Sequence, residues 1–398
     1  MVYDIIITGY GAAGLSMLHH ILHTSLKGKS ILILDDSSKK KTDKTWCFWE
    51  TEKPRYKCAS KFYWNKISVI GSGLKVTKRL NENTYYHIKS EDLHKEVTDL
   101  ALQNKNVHFV DAQVKNLTTH ASHVEVETDS EVYLGKYIVN SIPLLSKSEQ
   151  INYKLTQNFL GWKIETDTPV FDPNTVTLMD FRGGSDEASF FYILPYSKHY
   201  ALVEFTRFSE KTADIAHYET NLHNYLQKQL GIQDYQVLYS EYGAIPMTDY
   251  PYQRKLSERI FQLGTVGGDT KSTTGYTFKQ VQKSCKQIIE VISTGNRLTN
   301  NRSTRFDFYD ALLLNIIAQK PELTEKIMLS LFKNNDFDDV FRFLDEETNL
   351  LQDLKIFKGL PWPPFIKMLL SNKQALYETL SKNIGDSTEH QLIQDSRS

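Results

Sequence analysis

The pattern of apolar and polar positions near the N-terminus predicts a strand, then a helix, then a second strand. Residues 2–9, VYDIIITG, form an unbroken apolar run ending in glycine, which is typical of a strand covered on both faces of a parallel sheet. A helix is predicted over residues 12–26, and a second buried strand, ILILDD, over residues 31–36. The chain is therefore predicted to begin with a βαβ unit.

Further along the chain, antiparallel patterns give way to helical ones. Ser90, followed by two acidic residues, predicts the N-cap of a helix that ends near residue 103. A second helix is predicted over residues 216–230, and from Thr304 onward the pattern is helical. Alternating positions predict further strands, the first three as a meander, over residues 107–114, 124–128, 132–140, 176–182, 189–194 and 200–208. The polar stretch at residues 37–43 predicts an exposed loop.

The net charge and the spacing of cysteines and histidines argue against several kinds of binding partner and metal site. The 398 residues include 47 Lys and Arg against 48 Asp and Glu, and the net charge of -1 argues against nucleic acid as a partner. Three cysteines, Cys47, Cys58 and Cys285, have no CxxC spacing, which argues against a disulfide framework or a zinc site and fits a reducing cytoplasm. His19 and His23 have helical i, i+4 spacing but lack an acidic third ligand, so we predict a surface helix face and no metal.

A glycine motif follows the first predicted strand. Gly9, Gly11 and Gly14 match GxGxxG where the strand turns into the helix, which brings the backbone and the helix N–H groups close to a pyrophosphate. Asp35 follows Gly14 by 21 residues at the end of the second strand, where a carboxylate accepts hydrogen bonds from an adenosine ribose. Asp36 is the alternative at this position. The context favours a dinucleotide site over a simple tight turn.

A second glycine-rich segment indicates which dinucleotide is bound. Residues 261–278, FQLGTVGGDTKSTTGYTF, run from a strand through Gly264, Gly268 and Gly275 into a helix. In FAD enzymes of this type a late glycine-rich turn returns to the flavin, and the positive end of the helix faces a reduced, anionic flavin. An ordinary glycine-rich connection is the alternative.

The chain resembles the lycopene cyclases of carotenoid synthesis over most of its length. Six stretches carry the resemblance, and their order and spacing make them specific as a set. The stretches are DKTWCFW at residues 43–49, MDFR at 179–182, YILP at 192–195, LVEFT at 202–206, EYGAIPM at 241–247 and the glycine segment ending in TTGYTF. The pattern after residue 306 resembles the bacterial branch. One departure is Lys271-Ser272, where many members have His-Pro.

Together these patterns predict an α/β protein with three parts. A discontinuous FAD-binding domain, Rossmann-like and of the glutathione-reductase and hydroxylase type, is predicted over residues 1–165 and 255–300. Residues 166–254 are predicted to form an antiparallel-sheet substrate domain, and residues 301–384 a helical C-terminal region. The remaining residues, 385–398, are predicted to be a disordered tail.

The resemblance implies a β-cyclase, an isomerase that closes the linear ψ ends of lycopene and related linear carotenoids into β rings. It yields β-carotene through γ-carotene without net oxidation. Reduced FAD would stabilise the carbocation, and NADPH would keep the flavin reduced. A flavin monooxygenase or polyprenyl reductase is the rival; Thr265 argues against the hydroxylases, which have Asp there. A dinucleotide-binding regulatory protein is a second alternative.

Protonating a carbon-carbon double bond requires a carboxylic acid that keeps its proton near neutral pH, and burial in an apolar cavity has that effect. Alternation places Glu204 on one strand face with Tyr200, Leu202 and Thr206. The match to LVEFT assigns the catalytic acid of the family to Glu204. Taken alone, a strand Glu is usually solvent-facing or salt-bridged.

Two further acids are candidates for the catalytic set. Asp180 shares a predicted strand face with Arg182, where the pair either organises the cavity or forms a cross-strand ion pair. Glu241 either orders the site or accepts the last proton, with turn capping as the alternative. Aromatic residues that could shield the carbocation are Phe190, Phe191, Tyr192 and Tyr196, with core packing as the alternative. Trp46 and Trp49 could line the tunnel or pack under the flavin.

Lycopene is insoluble in water, so the substrate must arrive from a bilayer. No apolar run approaches the roughly 20 residues that span one, and no secretory signal precedes the first strand. Residues 360–370, LPWPPFIKMLL, could dock on the membrane through Trp and Phe beside Lys, with helix packing as the alternative. A cytoplasmic protein, peripheral on the inner face of the cell membrane, is the prediction.

Overall fold

The computed structural model describes residues 1–36, 44–144, 154–184, 188–298 and 304–371. The strands are β1 Val2–Thr8, β2 Ile31–Asp35, β3 Thr45–Glu50, β4 Phe62–Trp64, β5 Lys66–Gly71, β6 Leu74–Arg79, β7 Thr84–Lys89, β8 Val107–Asp111, β9 Val114–Thr119, β10 Val124–Thr128, β11 Val132–Asn140, β12 Lys154–Glu165, β13 Val176–Asp180, β14 Ser189–Pro195, β15 Tyr200–Ser209, β16 Gln236–Thr248, β17 Lys255–Ser257 and β18 Ile260–Gln262. The helices are α1 Ala12–Leu22, α2 Ser90–Leu102, α3 Ile215–Lys228, α4 Phe278–Thr294, α5 Thr304–Gln319, α6 Thr324–Asn334, α7 Phe337–Leu344, α8 Leu350–Phe357 and α9 Trp362–Ser371.

The first sheet has a parallel centre in the order β18-β11-β1-β2-β8. Apolar residues of α1, α2 and α4 pack on one face of this sheet, and the β9-β10-β11 meander covers the other. Double coverage explains why β1 and β2 are continuous apolar runs rather than alternating ones. The predicted βαβ unit is confirmed.

Local differences from the predicted elements have identifiable causes. Helix α1 ends at Leu22, and a short 3-10 turn over Ser25–Gly28 follows, where the predicted helix continued to residue 26. The N-cap of α2 is Lys89, because the Ser90 hydroxyl instead accepts a hydrogen bond from the backbone N–H of Lys44. Residues 107–114 contain two strands rather than one, since β8 joins the parallel sheet and only β9 enters the meander.

The second sheet has seven strands in the order β16-β12-β15-β14-β13-β5-β6. All neighbours are antiparallel except β13 and β5. Strand β12 lies within this sheet, although the predicted domain ranges placed it at the end of the FAD-binding part, and β5 and β6 join from further upstream. A three-stranded sheet, β3-β7-β4, completes the architecture.

The two faces of the seven-stranded sheet have different neighbours. Helix α3 packs on one face, against the odd-numbered residues of β15. Strands β3 and β7 and the C-terminal helices α6 and α7 pack against the other, where the even-numbered residues lie. The predicted alternation of Leu202 and Glu204 onto one face is therefore confirmed, and it places Glu204 in the interior between two layers.

Helices α5 to α9 form the C-terminal region, and the predicted fold class is confirmed. Residues 37–43 and the predicted tail at 385–398 lie outside the described residues. Within the described part of the chain, no helix is both long enough and apolar enough to span a bilayer.

Candidate active site

The turn between β1 and α1 leaves open space beside exposed helix N–H groups. Gly9 has a positive φ of 90°, and a methyl group built at Gly14 would lie 2.0 Å from the carbonyl oxygen of Gly9, so neither position accepts a side chain. A methyl group at Gly11 would meet no atom within 4 Å. Since Gly11 is the N-cap of α1 and provides no capping side chain, the helix can receive an anion there.

Asp35, the last residue of β2, is hydrogen-bonded to this turn. Its Oδ1 accepts a hydrogen bond of 2.9 Å from the backbone N–H of Tyr10, which connects the end of β2 to the glycine loop. The predicted preference for Asp35 over Asp36 agrees with this contact, and the arrangement fits the pyrophosphate and ribose of a dinucleotide.

The late glycine segment returns to the same turn. A methyl group built at Gly264, where φ is 75°, would lie 2.9 Å from the Cβ of Ala13 in the first turn of α1. Gly268 has a similar left-handed conformation. Gly275 lies against the seven-stranded sheet, since its added methyl group would lie 2.5 Å from Oε1 of Gln157 on β12. The segment therefore joins the turn between β1 and α1 to the sheet that carries Glu204.

Asp269, which was missed as a site residue, holds this segment in shape. Its Oδ2 accepts a hydrogen bond of 2.6 Å from the backbone N–H of Gly264. Its Oδ1 accepts one of 2.6 Å from the Ser284 hydroxyl and lies 3.0 Å from Nη2 of Arg254. Asp269 is buried, and an acid directly after Gly267-Gly268 was the sequence signal that could have identified it.

Two acids flank one glycine in the seven-stranded sheet. Gly161 on β12 pairs with Glu204 on β15 and, on its other side, with Glu241 on β16. Directly paired residues lie on the same face of a sheet, so both carboxyl groups lie on the face that β3 covers. Tyr192 on β14 extends the row beyond Glu204. Glu241 lies in mid-strand, which rules out the turn-capping alternative.

The surroundings of Glu204 raise the pKa of its carboxyl group above the ordinary value. Removal from water raises its pKa to about 8, and the nearby Glu241 adds to the rise. A hydrogen bond of 2.6 Å from the Thr206 hydroxyl to Oε1 acts in the opposite direction. Because the first effect dominates, Glu204 holds its proton at neutral pH.

Strand β3, which contains the TWCFW motif, covers these acids with neutral polar groups. The Thr45 hydroxyl donates a hydrogen bond of 3.0 Å to Oε2 of Glu241. The hydroxyl groups of Tyr85 and Tyr192 lie 2.9 Å apart. Burial raises the pKa of Cys47 to about 12 and the pKa values of Tyr85 and Tyr192 well above their ordinary range. This wall therefore stays uncharged around Glu204.

Buried charges connect the C-terminal helices to the cofactor side. The indole N–H of Trp49 and the ammonium group of Lys279 each lie 2.6 Å from Oδ2 of Asp345. Lys271 lies 3.0 Å from Asp310 and 3.1 Å from Glu346. Lys271, where many members of the resembled family have histidine, thus forms a buried ion pair with two acids. A cavity between β3 and the start of α4 is lined by Cys47, Trp49, Tyr276, Lys279 and Asp345, among others.

Asp180 lies on the opposite face of the sheet, so the structure does not bring it to the other two acids. It pairs with Phe191, which stacks on Tyr225 of α3 at 3.8 Å. The Asp180 carboxylate accepts hydrogen bonds from Nη2 of Arg182 at 2.6 Å and from the Tyr225 hydroxyl at 2.7 Å. Of the two alternatives for Asp180 and Arg182, the structure shows an ion pair, but it joins residues two apart in the chain rather than two strands.

The predicted aromatic residues divide between the two faces. Phe190, Tyr192 and Tyr196 pack with the apolar cluster on the Glu204 face, whereas Phe191 packs under α3. On β3, Trp49 stacks on Phe341 of α7 at 4.3 Å. Trp46 lies beside Phe278 at the start of α4, with ring centroids 6.3 Å apart.

Of the two histidines predicted to lie on a surface helix face, His23 is exposed and His19 is buried, so the prediction is wrong for His19. The adjacent His20 is buried as well, and burial lowers the pKa of His19 to about 3 and of His20 to about 4. Within the described ranges, one group has ligand atoms close enough together for a metal: His120, His123 and Glu125 at the turn between β9 and β10. It belongs to the meander of the first sheet, apart from the acids described above.

Comparison with known families gives a match over nearly the whole chain. The profile of the family described as "Lycopene cyclase protein" matches residues 4–370. No curated protein matches the chain.

Solved structures with similar folds are distant in sequence. A flavin-dependent halogenase from Xanthomonas campestris is 11% identical, with a TM-score of 0.60 and coverage of 96% of both chains. A geranylgeranyl bacteriochlorophyll reductase-like protein from Thermoplasma acidophilum is 13% identical, with a TM-score of 0.58 and coverage of 93% of this chain and 99% of that one. These similarities establish the fold.

Proposed function

The chain belongs to the lycopene cyclase family, and on that premise we propose that it is a β-cyclase, an isomerase that closes the linear ends of lycopene into β rings. The observation that carries the proposal is the acid pair on one sheet face, with the pKa of Glu204 raised to about 8 beside Glu241. The product is β-carotene, formed through γ-carotene, and related linear carotenoids are further substrates.

In the proposed reaction, the Glu204 carboxyl group gives its proton to the terminal carbon-carbon double bond of the polyene. The resulting tertiary carbocation is attacked by the neighbouring double bond, which forms the ring bond. Loss of a ring proton to Glu241 then restores a double bond. One proton enters and one leaves, so substrate and product have the same mass and no electrons are transferred.

Neutral side chains are proposed to protect the carbocation from water. The hydroxyl groups of Tyr85 and Tyr192 and the thiol of Cys47 all stay protonated at neutral pH because burial raises their pKa values. Uncharged aromatic faces stabilise a cation without capturing it as a nucleophilic anion would. On the other face, Asp180 is proposed to act indirectly, by fixing the strands that carry Tyr192 and Glu204.

Reduced FAD is the proposed cofactor. Residues of the two glycine segments would hold it: Gly9, Gly11 and Gly14 at the pyrophosphate, Asp35 at the ribose, and Gly264, Gly268 and Gly275 along the flavin. Support comes from the open space at Gly11 and from the uncapped start of α1. When bound, the reduced flavin would supply an electron-rich surface that stabilises positive charge. NADPH is proposed only as the reductant that maintains this form.

The proposed entry route starts at a membrane surface. Trp362, Ile366 and Leu370 recur every four residues on α9 and are 47%, 49% and 65% exposed. They therefore form an apolar stripe along the helix, with Lys367 beside it at a shallow apolar depression. We propose a cytoplasmic protein that docks peripherally on the inner face of the cell membrane.

Expression in lycopene-accumulating cells tests this function directly. The wild-type chain should convert lycopene to β-carotene of identical mass, and Glu204→Gln should leave lycopene unchanged while purifying with the same flavin content. Thr206→Val, which removes the hydroxyl bonded to Glu204, is the matched control and should retain ring formation. A product two or more mass units heavier than lycopene would instead indicate a reductase or monooxygenase, and would contradict the proposal.

A further inference from the structure

Gly161 lies where a strand would ordinarily carry a side chain. It is in the middle of β12, a strand of 12 residues that is paired along both edges. Its backbone lies outside the left-handed region that requires glycine. Glycine in a strand interior is destabilising relative to alanine, because it loses more backbone freedom on folding. Backbone conformation therefore does not explain this residue, which leaves the space above it as the reason.

The space above Gly161 is occupied by a carboxyl side chain. A methyl group built there would lie 3.0 Å from Cδ1 of Leu202, 3.2 Å from Cγ of Glu241 and 3.5 Å from its Oε1. The Glu241 side chain thus leans across β12 in the direction of Glu204. Adjacent strands are about 4.8 Å apart, so the backbones of the two acids are roughly 10 Å apart. A Glu241 side chain that leans across the glycine therefore extends toward the strand that carries Glu204.

We propose that Gly161 is a positioning residue: by lacking a side chain, it lets the Glu241 carboxyl group cross β12 toward Glu204, so that proton donor and proton acceptor form one coupled pair. The catalytic part of this inference rests on the proposed function. The electrostatic interaction between Glu204 and Glu241 does not, because it is a property of the folded protein. A larger side chain at 161 would separate the acids.

The charged and titratable surroundings of Glu204 make the coupling measurable. Burial makes the largest contribution to the raised pKa of Glu204, and the carboxylate of Glu241 adds to it. The ammonium group of Lys163, on the same face of β12, lies 4.4 Å from the centre of the Tyr239 ring. Other titratable groups around the pair are Cys47 on β3, Tyr85 on β7, Tyr192 on β14 and Tyr276 before α4. These four remain neutral below pH 9, because burial raises their pKa values.

Infrared titration of wild type, Gly161→Ala and Gly161→Val tests the proposal. The protonated carboxyl band of Glu204 is identified by its absence in Glu204→Gln. We expect the midpoint of this band to fall by about half a pH unit or more in Gly161→Ala, and further in Gly161→Val, since separating the acids reduces their repulsion. Ring formation at pH 8 should fall several-fold through kcat, with little change in KM.

Two variants separate positioning from a general weakening of the sheet. Leu160→Ala removes a buried side chain from the α3 face of the same strand and should lower stability without moving the Glu204 midpoint. In a Glu241→Gln background, Gly161→Ala should leave the Glu204 midpoint where Glu241→Gln alone places it, because no second carboxylate remains to be separated. A folded Gly161→Ala protein with an unchanged or higher midpoint would overturn the proposal.

The titration also distinguishes the two proposals from each other. If the wild-type protein cyclises no carotenoid, the β-cyclase proposal fails, and the Glu204 midpoint still decides whether Gly161 couples the acids. If Gly161→Val does not fold, the alanine variant, whose contacts need to yield by only a few tenths of an ångström, provides the decision.

Discussion

On one face of the seven-stranded sheet Glu204 lies beside a second acid, and on the other face Asp180 lies beside a guanidinium group. Both acids are on strands with neighbours on both edges; Asp180 is fully buried and Glu204 is partly buried. Glu204 receives one hydrogen bond from Thr206, whereas Asp180 is bonded by Arg182 and Tyr225. The same element therefore holds one acid that keeps its proton and one that forms an ion pair.

The difference shows that burial alone does not make a proton donor. Desolvation penalises any carboxylate, but a cation and several donors stabilise the ionised form. Asp180 has these partners, whereas the charged group that acts on Glu204 is a like charge, the carboxylate of Glu241. The character of the neighbouring face, α3 with Tyr225 or β3 with its neutral side chains, thus decides what each acid can do.

Glu204→Gln should produce the largest effect. Because glutamine has the shape of the acid but no transferable proton, turnover of the purified enzyme with lycopene in vesicles should fall about 100-fold or more. Product formation measured by chromatography checks this. A fall of less than about threefold would show that another group delivers the proton.

The pH dependence of turnover should report the same group. The active form of Glu204 is protonated, so kcat should fall about tenfold per pH unit above its folded pKa of about 8. Stability has the same sign, since the folded pKa lies above the ordinary value of 4.5. Stability from this group is present below pH 4.5 and decreases as pH rises to about 8, which thermal melting of wild type against Glu204→Gln would measure. Parallel melting profiles would contradict it.

Asp180→Asn should affect folding rather than chemistry. The substitution leaves the Arg182 guanidinium without its anion and weakens the Tyr225 contact, and we expect a loss of about 1–3 kcal/mol in the free energy of unfolding. Chemical denaturation measures the loss, and turnover per folded molecule should stay within a fewfold of wild type. Turnover reduced to the level of Glu204→Gln would place Asp180 in the chemistry after all.

A matched tyrosine pair should show the smallest difference. Tyr225→Phe removes a hydrogen bond to Asp180, and Tyr192→Phe removes one to Tyr85, so each should cost about 1 kcal/mol of stability. Only Tyr192→Phe should also change turnover, by a fewfold, because that hydroxyl lies on the Glu204 face. Equal turnover in the two variants would remove Tyr192 from the proposed cavity wall.

Local patterns were sufficient to predict much of the fold and part of the site. The apolar runs of β1 and β2 and the glycines between them define a parallel unit within 35 residues, where sequence neighbours are also spatial neighbours. The alternation around Glu204 gave the correct face, since the side-chain period of a strand is a local property. The assignment of Glu204 as the catalytic acid came from the family resemblance, because alternation alone does not distinguish it from an ordinary strand Glu.

Residues that depend on long-range pairing were not predictable in this way. The role proposed for Gly161 depends on its pairing with Glu204 and Glu241, which lie 43 and 80 residues further along the chain. No local pattern predicts the register between strands so far apart in the sequence. Asp180 was grouped with the other acids because it too lies in a family motif, but an irregularity in the pairing of β13 and its contact with α3 decide its face. The buried His19 likewise depends on what packs over α1.

Glu204 is carried on a central strand, with β12 and β14 bonded along both of its edges. An acid on a loop can swing out to bulk water and exchange its proton there, whereas the backbone of this acid is fixed by the ladder. In the proposed reaction the ring proton is lost to Glu241, so it can return to the neighbouring Glu204 without first reaching bulk water. Deuterium uptake into the product should accordingly be limited by how quickly solvent protons reach the interior.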